Sequence, residues 1–147
     1  MKNIEIQETL KPLMAFVGNW KVEGVNFASA PNAPDVKVTG TQKVKLMEGG
    51  KFLKSDWKYK SNGNRHIGIS ILGTDNDSKK PKMHNFDNTG FQRQYELNIE
   101  DDIWEVIGKT ERASIFFDKK GTSYNEKWEI KKEGKWQPLC ERNATKI

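Results

Sequence analysis

Two regimes of hydrophobic spacing divide the chain near residue 18. Before it, Ile6, Leu10, Leu13, Met14 and Val17 recur at close to helical spacing, with Pro12 interrupting. Residues 4–16 are therefore expected to form one short helix or two turns meeting at a kink. After Trp20 the period becomes two. Over 36–47, Val36, Val38, Gly40, Gln42, Val44 and Leu46 share one face, and Lys37, Thr39, Thr41, Lys43 and Lys45 the other. Over 51–61, Leu53, Ser55, Trp57 and Tyr59 oppose Lys54, Asp56, Lys58 and Lys60. Such alternation is that of an antiparallel strand with one buried and one wet face.

Turn-forming residues then recur at hairpin spacing. Asn62-Gly63 is the strongest two-residue hairpin signal. Gly49-Gly50 permits a sharp reversal, and 75–80, 87–90, 100–102, 119–121 and 133–134 mark later corners. Between them lie strand-like runs at 65–74, 82–86, 91–98, 103–109, 113–117, 123–131 and 135–142. The expectation is an all-β, antiparallel up-and-down barrel of about ten strands. One domain would span 1–147, with 1–17 a helical cap over one open end and 18–147 the barrel. The Pro-containing loop at 28–35 would sit at a mouth.

Composition changes this picture little. Hydrophobic content is 35% and mean hydropathy is −0.83, yet five tryptophans, three tyrosines and seven phenylalanines supply large buried areas. The net charge of +5 comes from 25 basic residues against 20 acidic ones, and most lysines alternate with apolar residues along strands. That is how a solvated outer wall reads, and it argues against nucleic acid as partner. No run has the length of a membrane-spanning helix, and the N-terminal stretch lacks the apolar core of a signal peptide. One cysteine, Cys140, precludes an internal disulfide. A cytoplasmic protein without membrane association is expected, and self-association through an exposed strand or the mouth stays open.

Candidate chemistry follows from which polar residues alternation turns inward. Arg93 shares a face with Phe91, Tyr95 and Leu97, and Glu126 with Tyr124, Trp128 and Ile130. A buried guanidinium needs an anionic partner. Arg93 is thus either half of an internal ion pair with Glu126 or the anchor for a ligand carboxylate. Gln42, Ser55 and Tyr59 also project inward, and Trp20, Trp57, Tyr95, Trp104 and Trp128 would line or floor the interior. These residues make either a ligand cavity or a filled core. The leading expectation is non-enzymatic binding of a small apolar or amphipathic ligand. The alternatives are an isomerase- or hydrolase-like pocket using Glu126 as base beside Tyr59, and a filled barrel acting in assembly. No nucleophile elbow, Gly-rich phosphate loop, HExxH helix or zinc-type cysteine pair is present. Of the two histidines, His66 follows a turn and should face solvent, whereas His84 could face inward. No metal or cofactor site is expected from them. Cys140, on the apparent face of Trp136, Pro138 and Arg142, reads as a buried inert thiol.

Several motifs, in order, carry a family resemblance. They are VGNWKVEGVNF (17–27) with its Gly18-x-Trp20, MEGGKFL (47–53), ILGTDNDSKK (71–80), FDNTG (86–90) and a closing KW…EGKW (127–136). The chain resembles a bacterial lipocalin-like domain-of-unknown-function family of the calycin superfamily, and more distantly lipocalins, fatty-acid-binding proteins and nitrobindins. That resemblance implies a basic side chain from the last strand packed on the first-strand Trp20, with Arg142 the matching candidate and Lys146 the second. It also raises haem, as in nitrobindins, whose axial histidine lies near the C-terminal strands. This chain has no histidine there, which speaks against haem.

Overall fold

In the computed structural model, which describes residues 8–147, ten antiparallel strands close into a barrel. They are β1 (Gly18–Asn26), β2 (Val36–Leu46), β3 (Phe52–Ser61), β4 (Asn64–Thr74), β5 (Pro81–Asp87), β6 (Gln92–Glu100), β7 (Ile103–Ile107), β8 (Glu111–Phe117), β9 (Ser123–Lys132) and β10 (Lys135–Lys146). Each pairs with its sequence neighbours, and β1 pairs with both β2 and β10, so no edge strand is left open. The expected up-and-down topology and most of its corners are present. At Asn62-Gly63 both residues have positive φ (49° and 80°), the geometry that lets a two-residue hairpin follow strand twist.

The N-terminal segment is a 3-10 helix, Glu8–Phe16, rather than an α-helix. Its buried residues are Leu10, Leu13 and Phe16, spaced by three, which suits three residues per turn better than 3.6. Ile4 and Ile6 lie outside the described residues. The helix plugs the barrel end formed by the β2–β3, β4–β5, β6–β7 and β8–β9 connections. Phe16 meets Trp104 and Tyr124 edge-on there, and Thr74 Oγ1 donates to Thr9 Oγ1 at 2.8 Å. The opposite end, including residues 27–35, is the mouth.

One irregularity re-aims the last strand. Between Pro138 and Cys140 the β9–β10 register shifts, leaving Leu139 as an extra residue. Trp136 and Pro138 therefore do not share the face of Cys140 and Arg142, as simple alternation requires. Trp136 lies on the outer wall, where the Arg112 guanidinium stacks 4.2 Å from its ring centroid. Cys140 and Arg142 point inward.

Candidate functional site

The interior is not filled. A cavity of about 410 Å³ runs from the mouth toward the 3-10 helix. Strand alternation sets its lining. Trp57 and Tyr59 from β3 stack on each other (centroids 5.4 Å apart, 21° between planes), and Tyr95 from β6 meets Trp128 from β9 edge-on at 5.3 Å. Trp104, Phe16 and Gln42 lie at the deep end. Gln42 is held in place from two sides: it donates to Ser55 Oγ at 2.8 Å and accepts from the Tyr124 hydroxyl at 2.5 Å. Ser55 is wholly buried behind it and does not reach the cavity surface. Trp20 is likewise outside the lining, a core residue beneath it.

Glu126 and Arg142 face each other across β9 and β10 and both line the cavity. The Glu126 carboxylate accepts a 2.6 Å hydrogen bond from Trp128 Nε1 through Oε1 only. Burial pushes its proton affinity above the ordinary glutamate value, against the opposing effects of the Trp128 bond and the Arg142 charge. Arg142 donates through Nη1 to the carbonyls of Val25 and Glu141, and through Nη2 to Asn26 Oδ1 at 2.7 Å. Its guanidinium carbon lies 5.5 Å from the Tyr59 ring centroid. Burial, then the Glu126 charge, hold the Tyr59 phenol protonated far above its usual range. Cys140 lies beside this group with its thiol pushed up to about 12 by burial, so it is an uncharged, unreactive wall atom at neutral pH.

Two expectations about arginines are overturned. Arg93 does not pair with Glu126. It sits at the mouth, its side chain 43% exposed, with Nε 3.3 Å from Glu111 Oε1 and its guanidinium over the Phe91 ring. It is placed near the start of β6, too close to the mouth to be desolvated, and Glu111 on β8 is the nearer carboxylate. Glu111 also accepts from the Tyr95 hydroxyl at 3.3 Å. Nor does Arg142 cover Trp20. Lys146 does, with Nζ 5.1 Å from the indole, because Trp20 pairs with Lys146 in the β1–β10 register while Arg142 lies opposite Gly24. The second of the two resemblance-derived candidates fills the role.

The histidines also differ from expectation. His84 lies on the outer wall, between the inward-facing Met83 and Asn85. His66 is half-exposed yet lines the cavity, packed edge-on against Trp57 with Nε2 2.8 Å from Asp87 Oδ2. Although burial opposes its ionisation, Asp87 stays well below the usual carboxylate range. The Thr89 hydroxyl, His66 and the backbone N–H groups of Thr89 and Phe91 all bond to it. Sequence reasoning read Asp87–Thr89 only as a corner, and Ser70, which accepts from Trp57 Nε1 at 3.1 Å, was not singled out. The signal for Ser70 was its place on the inward face of β4 with Leu72. Asn85, opposite Arg93 in the β5–β6 register, was also missed; its Oδ1 is buried with no partner among the described residues. Among those residues no cluster of three or more His, Cys, Asp or Glu could hold a metal ion, and no helix is long and apolar enough to cross a membrane.

Solved structures share this architecture at low identity. Rv2717c from M. tuberculosis aligns over 97% of this chain and 99% of its own with a TM-score of 0.72 at 12% identity. The S-type phycobiliprotein lyase CPES from Guillardia theta aligns over 96% of this chain and 92% of its own, with a TM-score of 0.55 at 13% identity. At such identities the likeness is one of fold, a closed antiparallel barrel. No curated protein matches the sequence. Residues 5–141 match the family described as "Protein of unknown function (DUF1579)", and the chain belongs to that family.

Proposed function

We propose that the protein binds a small amphipathic molecule inside the barrel. The observation that carries this reading is the 410 Å³ cavity, aromatic along its walls and furnished at one side with the convergent polar groups of Tyr59, Glu126 and Arg142. Cavities of this size with a few placed polar groups are the usual form of small-molecule sites. The apolar body of the ligand would lie against Trp57, Tyr95 and Trp128, and its polar end would meet the three side chains. N-Phenyl-1-naphthylamine, which fluoresces on entering an apolar pocket, is expected to bind one molecule per barrel. Absence of saturable binding by this probe would remove the reading. Native mass spectrometry of the freshly purified protein would show whether a molecule accompanies it.

A second reading has an observation of its own: Glu126 lines the cavity with only one carboxylate oxygen hydrogen-bonded. A carboxyl with raised proton affinity and one oxygen free to the cavity is suited to proton transfer in an isomerase- or hydrolase-like pocket. Carboxyl NMR is expected to show Glu126 titrating above ordinary glutamates, and higher still after Arg142→Met, because the guanidinium lowers it. The linkage has a definite sign. A folded-state value above the unfolded one means that the folded protein binds more protons, so this group's contribution is fully present below the unfolded value. It is lost as pH rises through the folded value. Glu126→Gln should therefore shift the urea midpoint upward at neutral pH relative to acid. An unchanged pH profile would show that Glu126 is not perturbed.

A further inference from the structure

Opposite charges lie side by side in the cavity wall without touching. Arg142 and Glu126 are direct register partners on neighbouring strands and face the same way. Yet no guanidinium nitrogen comes within ion-pair distance of the carboxylate; the ion pairs of the described residues lie elsewhere. Side chains so placed are rooted about 5 Å apart. Three of the five guanidinium N–H groups are taken up by Val25, Glu141 and Asn26, which leaves two. On the other side, Glu126 Oε2 has no donor among the described residues, since Trp128 engages only Oε1. The wall therefore presents a donor beside an acceptor, with the Tyr59 ring 5.5 Å from the guanidinium.

Resting on the cavity-binding reading, we infer that the ligand is a planar, uncharged heterocycle whose edge carries an N–H next to a C=O, a lactam edge, with the N–H donated to Glu126 and the C=O accepting from Arg142. Charge decides among the alternatives. With Glu126 ionised, a carboxylate end is drawn to Arg142 but repelled by Glu126, and an ammonium end meets the reverse. A neutral edge with both functions satisfies both side chains without leaving either charge uncompensated. Flatness is favoured by the surrounding rings of Trp57, Tyr59 and Trp128, whose faces and edges attract aromatic planes. Arg93 at the mouth does not change this balance, because Glu111 already neutralises it.

Four bicyclic probes of matched size separate these cases in competition with N-phenyl-1-naphthylamine: 2-quinolone, N-methyl-2-quinolone, 2-naphthoate and 2-naphthylmethylammonium. 2-Quinolone is expected to displace the dye at concentrations at least about tenfold lower than the other three, the size of one hydrogen bond to a charged group. Glu126→Leu should abolish its advantage over the N-methyl compound, and Glu126→Gln, which keeps an acceptor oxygen, should retain it. Equal displacement by the N-methyl compound, or stronger displacement by either charged probe, overturns the inference and leaves the cavity reading intact. Failure of the dye itself to bind overturns both. The wild-type comparison decides the matter even if the leucine variant does not fold.

Discussion

Trp20→Ala is expected to be the most damaging single substitution in the barrel, costing about 3–5 kcal/mol. The indole is fully buried and joins four elements. Its Nε1 donates to the Phe16 carbonyl at 2.9 Å, tying the end of the 3-10 helix to β1. Its ring meets Tyr124 of β9 edge-on at 4.9 Å, and Lys146 of β10 covers it. Alanine leaves a void in the floor and an unpaired carbonyl within it. Trp20→Phe should lose less, chiefly the hydrogen bond, about 1–3 kcal/mol. Lys146→Ala should cost less again, about 0.5–1 kcal/mol, because a partly exposed cation over a ring contributes little. Urea denaturation of the three variants checks this order. A Lys146→Ala loss equal to that of Trp20→Ala would refute the account of Trp20 as the joint and make the cation its main support.

Cys140→Trp is expected to abolish binding in the cavity while leaving the barrel folded. The thiol is uncharged, lines the cavity and lies next to Arg142 and opposite Trp128. Cys140 lines the cavity, so a bicyclic ring built from this position has space along the wall and its cost falls at the low end of the usual range for added bulk, about 1 kcal/mol. Its N–H has a ready acceptor in Glu126 Oε2. Affinity for N-phenyl-1-naphthylamine should fall at least about tenfold, equivalent to about 1.4 kcal/mol. Lys127→Trp, which adds the same ring to the outer wall of the neighbouring strand, should leave binding unchanged. Full affinity in a folded Cys140→Trp variant would place the dye somewhere other than the barrel interior.

How far the sequence disclosed all this depended on range. Alternation within a strand is a local property, and it located the ten strands, the aromatic lining and the inward orientation of Tyr59, Gln42 and Glu126. The hairpin corners were equally local. What it could not supply was register between strands distant in sequence. Whether Arg142 or Lys146 reaches Trp20 depends on how β10 slides along β1, and Leu139 resets the phase of the first part of that strand without any turn residue to announce it. Arg93 failed for a related reason. Alternation gives the side on which a residue lies but not its depth along the barrel axis, and depth separates an exposed rim arginine from a buried one. Asp87 and Thr89 carried turn chemistry so plainly that their place on the cavity rim was hidden behind it.

The plug at the closed end also governs traffic. Among the described residues, Phe16 seated against Trp104 and Tyr124 closes the far end of the chamber, so a guest comes and goes by way of the mouth. Arrival and departure rates are thus set at one place, the rim of Phe91, Arg93, Glu111 and His66. Substitutions there should change both rates together and leave their ratio nearly untouched. Changes around Glu126 should alter how long a guest stays and not how quickly it comes in.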